Sequence, residues 1–84
     1  MGWYVYMLRC ADGSLYTGIA SDVEKRFAMH KSGHGAKYTR SHPPVAVVYR
    51  EQFADKGAAL RREAAIKKLP RAKKIELTEG RCDA

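Results

Sequence analysis

From Trp3 to Cys10 every residue except Arg9 is β-branched, aromatic or apolar, Ala11-Asp12-Gly13 then supplies turn chemistry, and Ser14 to Ala20 resumes with Leu15, Tyr16, Thr17 and Ile19. That pattern is a β-hairpin, and its loop length fixes which side chains share a face. A two-residue Asp12-Gly13 turn pairs Tyr6 with Ile19 and sends Tyr16 to the opposite face. A three-residue loop, with Gly13 in the left-handed region, pairs Cys10 with Ser14, Leu8 with Tyr16 and Tyr6 with Gly18, so that Tyr6 and Tyr16 stand together. We adopt the second register. It also places Gly18 opposite Tyr6, where a missing side chain leaves room for a ligand to approach the sheet.

Beyond the hairpin, Ser21 or Asp22 caps a helix that runs to about Ser32 and stops at Gly33. Its apolar stripe is Val23 and Phe27, flanked by Arg26 and His30. Gly33 to Arg40 has neither helical nor strand period and reads as a mobile loop, closed by Pro43-Pro44. Val45 to Phe53 gives a third strand, Lys56 to Leu69 a second helix broken at Pro70, and Arg71 to Leu77 a short third helix. The expected fold class is α/β (α+β): a small three-stranded antiparallel sheet flanked by helices, in the order β-β-α-β-α-α. On the second helix Ala59, Leu60, Glu63, Ala64, Ile66 and Lys67 fall in one arc, with Arg61 and Arg62 outside it. Trp3, Tyr49 and Phe53 are read as core, and His34 and His42 as loop residues.

The 84 residues carry a net charge of +7, enough chain for one domain, 1–79, followed by a flexible tail, 80–84. Trp3 to Leu8 is the longest apolar run, far short of the roughly 20 residues of a membrane helix, and no signal-peptide pattern precedes it. A soluble, cytoplasmic protein with no membrane partner is expected. Cys10 and Cys82 lack the spacing of a zinc site or a disulfide framework. The basic balance, with a pI near 9.7, favours a polyanion through counterion release and steering.

Tyr6, Tyr16 and Arg26 follow one another at ten-residue steps, with His30 four residues on. Taken singly, each has a plainer reading: aromatic packing for the tyrosines, a solvated face for Arg26, a core histidine for His30, and an ion pair with Lys67 for Glu63. Together they match what phosphodiester hydrolysis needs, namely donors and cations around the phosphate, a group that moves a proton, and a carboxylate for a Lewis acid. Glu63 falls on the apolar side of its helix, where a carboxylate must be paired, protonated or bound to a cation. One glutamate in a carboxylate-poor setting suits a single Mg²⁺ (or Mn²⁺) that keeps most of its waters.

On these residues the chain resembles a GIY-YIG nuclease domain, with Tyr4-Val5-Tyr6 in the place of Gly-Ile-Tyr and Tyr16-Thr17-Gly18 in that of Tyr-Ile-Gly. The likeness continues through Arg26, His30 and Glu63 and covers about residues 3 to 77, as in the small stand-alone bacterial members. It implies metal-dependent strand cleavage with Glu63 as metal ligand and Arg26 holding the scissile phosphate. Tyr6 or Tyr16 would be the general base or its positioning partner, with Tyr6 preferred, and His30 would fill the slot where relatives carry Tyr or His. Tyr4 departs from the motif's first glycine and puts a ring where it could stack on substrate.

Lys37, Tyr38 and Arg40 in the loop, with Arg61, Arg62, Lys67, Lys68, Arg71, Lys73 and Lys74 on the later helices, offer nucleic-acid contacts without sequence readout. The function expected is a Mg²⁺-dependent DNA endonuclease of low sequence specificity, possible roles being structure-directed repair or recombination. DNA is favoured over RNA as partner, and a monomer is the default, with a dimer open. The alternative is a non-catalytic DNA- or RNA-binding module of the same fold.

Overall fold

In the computed structural model residues 2–34 and 37–79 are described, apart from the Tyr38 side chain. The hairpin comprises β1 (Trp3–Cys10) and β2 (Leu15–Ala20), and its register pairs Leu8 with Tyr16 and Tyr6 with Gly18. The Cys10 N–H donates to the Ser14 carbonyl at 2.9 Å, the Gly13 N–H donates to Cys10 at 2.9 Å, and Gly13 has φ +86°. This is the three-residue loop expected, and Asp12 secures it by accepting from the Ser14 amide at 3.0 Å and hydroxyl at 2.6 Å. Tyr6 and Tyr16 therefore share a face.

The third strand, β3 (Pro44–Phe53), runs antiparallel along the other edge of β1, giving the strand order β2-β1-β3. Being central, β1 is buried on both sides, and Val5, Tyr6, Met7 and Leu8 are each at most 1% exposed. Two cores result. Tyr6, Leu8, Ala20 and Val23 pack with Tyr4, Tyr16, Phe27 and Val47 on one face, while Val5, Met7, Ala59 and Ile66 pack with residues including Trp3, Ile19, Tyr49 and Phe53 on the other. A register shift between Met7 and Leu8 lets Val48 and Tyr49 both join the second core, as a bulge permits.

The first core is covered by α1 (Val23–Lys31), whose cap Asp22 accepts from the Lys25 amide at 3.0 Å. The helix closes at Gly33 with the His34 N–H reaching back to Met29 at 2.9 Å. Removing the cap oxygen in Asp22→Ala is expected to cost about 1 kcal/mol, read as a lowered urea midpoint with unchanged slope. The segment read as a loop contains a five-residue helix, α2 (Lys37–Ser41). Its shortness explains the miss, since five residues show no period, and Gly35 and Ala36 lie outside the described residues.

On the opposite face lie α3 (Lys56–Lys67) and α4 (Arg71–Thr78). The inward arc of α3 differs from that expected: Ala59 and Ile66 are fully buried with Arg62 and Glu63 beside them, whereas Leu60 is 44% exposed and Ala64 is exposed. An alanine-rich helix has little apolar mass to set its rotation, and here a polar anchor sets it. Arg62 donates to Glu51 at 3.1 Å, and Glu51 also accepts from the Tyr49 hydroxyl at 2.6 Å. Arg62 thus turns inward, contrary to expectation. Trp3, Tyr49 and Phe53 pack on the core as expected. Cys10 is a buried free thiol, and Cys82 and the rest of the tail, 80–84, lie outside the described residues. Among those described, no helix is long and apolar enough to cross a membrane.

Candidate active site

The hairpin register and the capped α1 bring four of the expected side chains to one spot. Tyr6 stands at the middle of β1 with its hydroxyl 2.9 Å from Nε2 of His30, which α1 buries against the sheet at 1% exposure. Tyr16, half-buried on β2, places its ring 6.4 Å from Tyr6 and 5.2 Å from His30 between centroids. Arg26, one turn before His30, lies near enough for its charge to favour the Tyr6 phenolate. Glu63 completes the set from α3: its side chain is 19% exposed, and its charge acts on Tyr6 in the opposite sense. Tyr6, Tyr16, Arg26 and His30 thus lie together, and the Glu63 charge is felt there from α3. Lys67 lies 3.2 Å from the Glu63 carboxylate, so the plainer ion pair is present as well.

Burial, above all, and the neighbouring Tyr16 push the Tyr6 phenol above its ordinary value, with Arg26 opposing. Burial and the Arg26 charge hold the His30 imidazole below its ordinary value. At neutral pH both shifts keep the proton on the phenol and the imidazole uncharged.

Gly18 is needed for this packing, though not as expected. A Cβ there would stand 2.8 Å from the Tyr6 hydroxyl oxygen and 2.9 Å from Cζ, so the space opposite Tyr6 is filled by Tyr6's own ring and not kept for a ligand. Tyr4 is half-buried in the α1-side core. One polar residue of the site had no signal in the sequence: Thr39 of α2 is 2% exposed and its hydroxyl lies 2.6 Å from His30 Nδ1. It sits in a run of cations without periodicity, where nothing marks an inward side chain.

The remaining cations are dispersed around the molecule. Lys67 and Lys74 border a cleft of about 220 Å³ with Leu15, Tyr16 and Thr17, while Arg26 and Lys25 border another of about 300 Å³ at the far end of β2. Lys37, Arg40, Arg61 and Lys68 are exposed. Arg71 is committed to the Gly13 carbonyl at 2.8 Å, Lys73 lies 3.8 Å from Glu76, and Arg62 is held by Glu51. The Tyr38 side chain lies outside the described residues.

Residues 2–76 match the family model described as the GIY-YIG catalytic domain. The chain belongs to the GIY-YIG family. This GIY-YIG domain is 53% identical over 78 residues to the UPF0213 protein SSP2268 of Staphylococcus saprophyticus, covering 92% of this chain and 95% of that one. It is 55% identical over 74 residues to the UPF0213 protein NP_0776A of Natronomonas pharaonis, covering 88% and 87%. Among solved structures, it is similar to that of EF2693 from E. faecalis, with TM-score 0.66 and 37% identity over 100% of this chain and 90% of the other. It is also similar to that of the UPF0213 protein BH0048 from Bacillus halodurans, with TM-score 0.59 and 47% identity over 94% and 84%. Membership supports nuclease activity on a nucleic-acid substrate, and Tyr6 and Tyr16, on which the resemblance was read, both stand beside His30.

Proposed function

We propose that this domain is a metal-dependent endonuclease that hydrolyses phosphodiester bonds in DNA with low sequence specificity. The observation that carries the reading is the cluster of Tyr6, Tyr16 and His30 with the Arg26 and Glu63 charges both acting on the Tyr6 hydroxyl. Among the described residues no three His, Cys, Asp or Glu side chains cluster as a metal cage. The single, mostly buried Glu63 carboxylate fits one hard cation that keeps its own waters, and Mg²⁺ (or Mn²⁺) is the ion of that chemistry. Glu63 would hold it, and when bound it would offset charge developing on the phosphate.

The chain's own residues supply the rest. Arg26 holds the scissile phosphate and offsets its charge. The Tyr6 hydroxyl takes a proton from the attacking water as its own proton passes to Nε2 of the uncharged His30. The water oxygen bonds to phosphorus, the bond to the leaving oxygen breaks and that oxygen takes a proton from solvent, and His30 later releases its own proton to solvent. Tyr16 is the more exposed phenol and is the alternative base, with Tyr6 then positioning it. Direct sequence readout is not part of the proposal, because the cations at hand suit phosphates and not base edges. The domain acts as a cytoplasmic monomer in this account, on DNA intermediates of repair or recombination.

The Glu63–Lys67 pair favours one rival, a binding module in which the carboxylate only anchors a lysine. Incubation with supercoiled, single-stranded and branched DNA in Mg²⁺, Mn²⁺ or chelator separates the two. An endonuclease nicks in metal and not in chelator; binding without nicking in any metal supports the module. Binding itself should be strongly salt-dependent. With roughly four phosphate contacts, affinity is expected to fall about a hundredfold between 50 and 200 mM salt, measurable by fluorescence anisotropy on a labelled duplex. A salt-independent Kd would contradict phosphate-led binding.

A further inference from the structure

We propose that Thr39 is a positioning residue of the site, fixing His30 as the tautomer protonated on Nδ1 so that the Nε2 lone pair faces the Tyr6 hydroxyl. The inference deepens the nuclease reading and rests on it for its catalytic consequence, but its structural part stands alone.

His30 has a polar partner on each ring nitrogen, Tyr6 at 2.9 Å on Nε2 and Thr39 at 2.6 Å on Nδ1. A neutral imidazole donates from one nitrogen and accepts at the other. The two hydroxyls are not equivalent: a phenol is the stronger donor and the weaker acceptor, an aliphatic hydroxyl the reverse, so the phenol's proton goes to His30. If Tyr6 donates to Nε2, then Nδ1 carries the ring proton and the Thr39 oxygen accepts it. Tyr6 from β1, Tyr16 from β2, Thr39 from α2 and Arg26 on its own helix all face His30, and none of these four is a carboxylate. A hydroxyl therefore does here the orienting that a carboxylate or carbonyl does for many functional histidines.

The placement of Thr39 adds a second consequence. It lies on α2 between exposed Lys37 and Arg40, so the short helix that offers cations to a phosphate backbone is also the one that sets the histidine.

The test uses the full chain, whose three histidines make imidazole ¹⁵N spectra tractable. Long-range ¹H–¹⁵N correlations at neutral pH are expected to show wild-type His30 protonated on Nδ1. Thr39→Val keeps the shape and removes the acceptor; it should redistribute His30 toward the Nε2-protonated form and lower kcat about tenfold or more, with KM little changed. Thr39→Ser should restore both the tautomer and the rate. A wild-type His30 protonated on Nε2 overturns the proposal without any variant, as does a Thr39→Val protein that keeps the wild-type tautomer or a Thr39→Ser protein that restores neither property. If the wild type shows the Nδ1-protonated ring yet cuts no DNA in any metal, the nuclease reading fails and the tautomer assignment survives.

Discussion

Glu63→Gln is expected to lower metal-dependent DNA cleavage by about a thousandfold or more while leaving DNA affinity and folding close to wild type. The size follows from the role: a carboxylate that holds the only Lewis acid of the site accounts for several kcal/mol of transition-state stabilisation, and each 1.36 kcal/mol is tenfold in rate. Glutamine keeps the shape but binds a hard divalent cation poorly. The cost to folding is small, because what is lost is an i,i+4 pair with Lys67, a contact worth about 0.3–0.5 kcal/mol. Initial nicking rates and duplex anisotropy on the same preparation read the two quantities separately. Equal loss of cleavage and binding would assign Glu63 a structural part, and unchanged cleavage would remove it from the site.

Gly18→Ala should damage both stability and chemistry. Gly18 is not one of the positive-φ glycines, Gly13 and Gly33, so its backbone tolerates a side chain and the effect is one of space. The new methyl would lie 2.8 Å from the Tyr6 hydroxyl oxygen, 2.9 Å from Cζ and 3.1 Å from Cε2 of Tyr16. Neither ring is a loose end: Tyr6 is fully buried and tied to His30, and Tyr16 packs in the same core. Overpacking of this kind costs about 1–3 kcal/mol, a sizeable part of the roughly 4–12 kcal/mol that holds a domain of this size. The relief available is to push the Tyr6 ring away from the methyl, and a displacement near 1 Å at a catalytic group can cost about a hundredfold in rate. Urea unfolding and single-turnover cleavage should move together. An alanine variant equal to wild type in both would show that Tyr6 has room to spare.

What the sequence made legible were the features with local chemical causes. The hairpin followed from Ala11-Asp12-Gly13 between two apolar runs; its turn chemistry left two registers open, and the three-residue loop adopted, with Tyr6 and Tyr16 on a shared face, is the one observed. The start and stop of α1 followed from Ser21 or Asp22, of which Asp22 is the cap, and from Gly33, which placed Arg26 and His30 a turn apart beside the sheet. The features that escaped depend on tertiary partners. The rotation of α3 is set by Glu51 of β3 drawing in Arg62, a contact between residues eleven apart in sequence. Thr39 belongs to the site because α2 folds back onto α1, and a single threonine among lysine and arginine carries no trace of that. Gly18 was rightly singled out for a close approach, but the approaching group is Tyr6 itself, which only three-dimensional packing reveals.

The most direct test of the account starts from a preformed complex of excess protein with a labelled branched duplex in chelator, to which Mg²⁺ is added in excess, with the single-turnover appearance of cut strand then followed. Cleavage that begins only on metal addition, stops when chelator is restored, and is lost in Glu63→Gln at equal occupancy is the predicted result. A complex that stays intact in both Mg²⁺ and Mn²⁺ at full occupancy would contradict it, and the basic surfaces would then be those of a binding module.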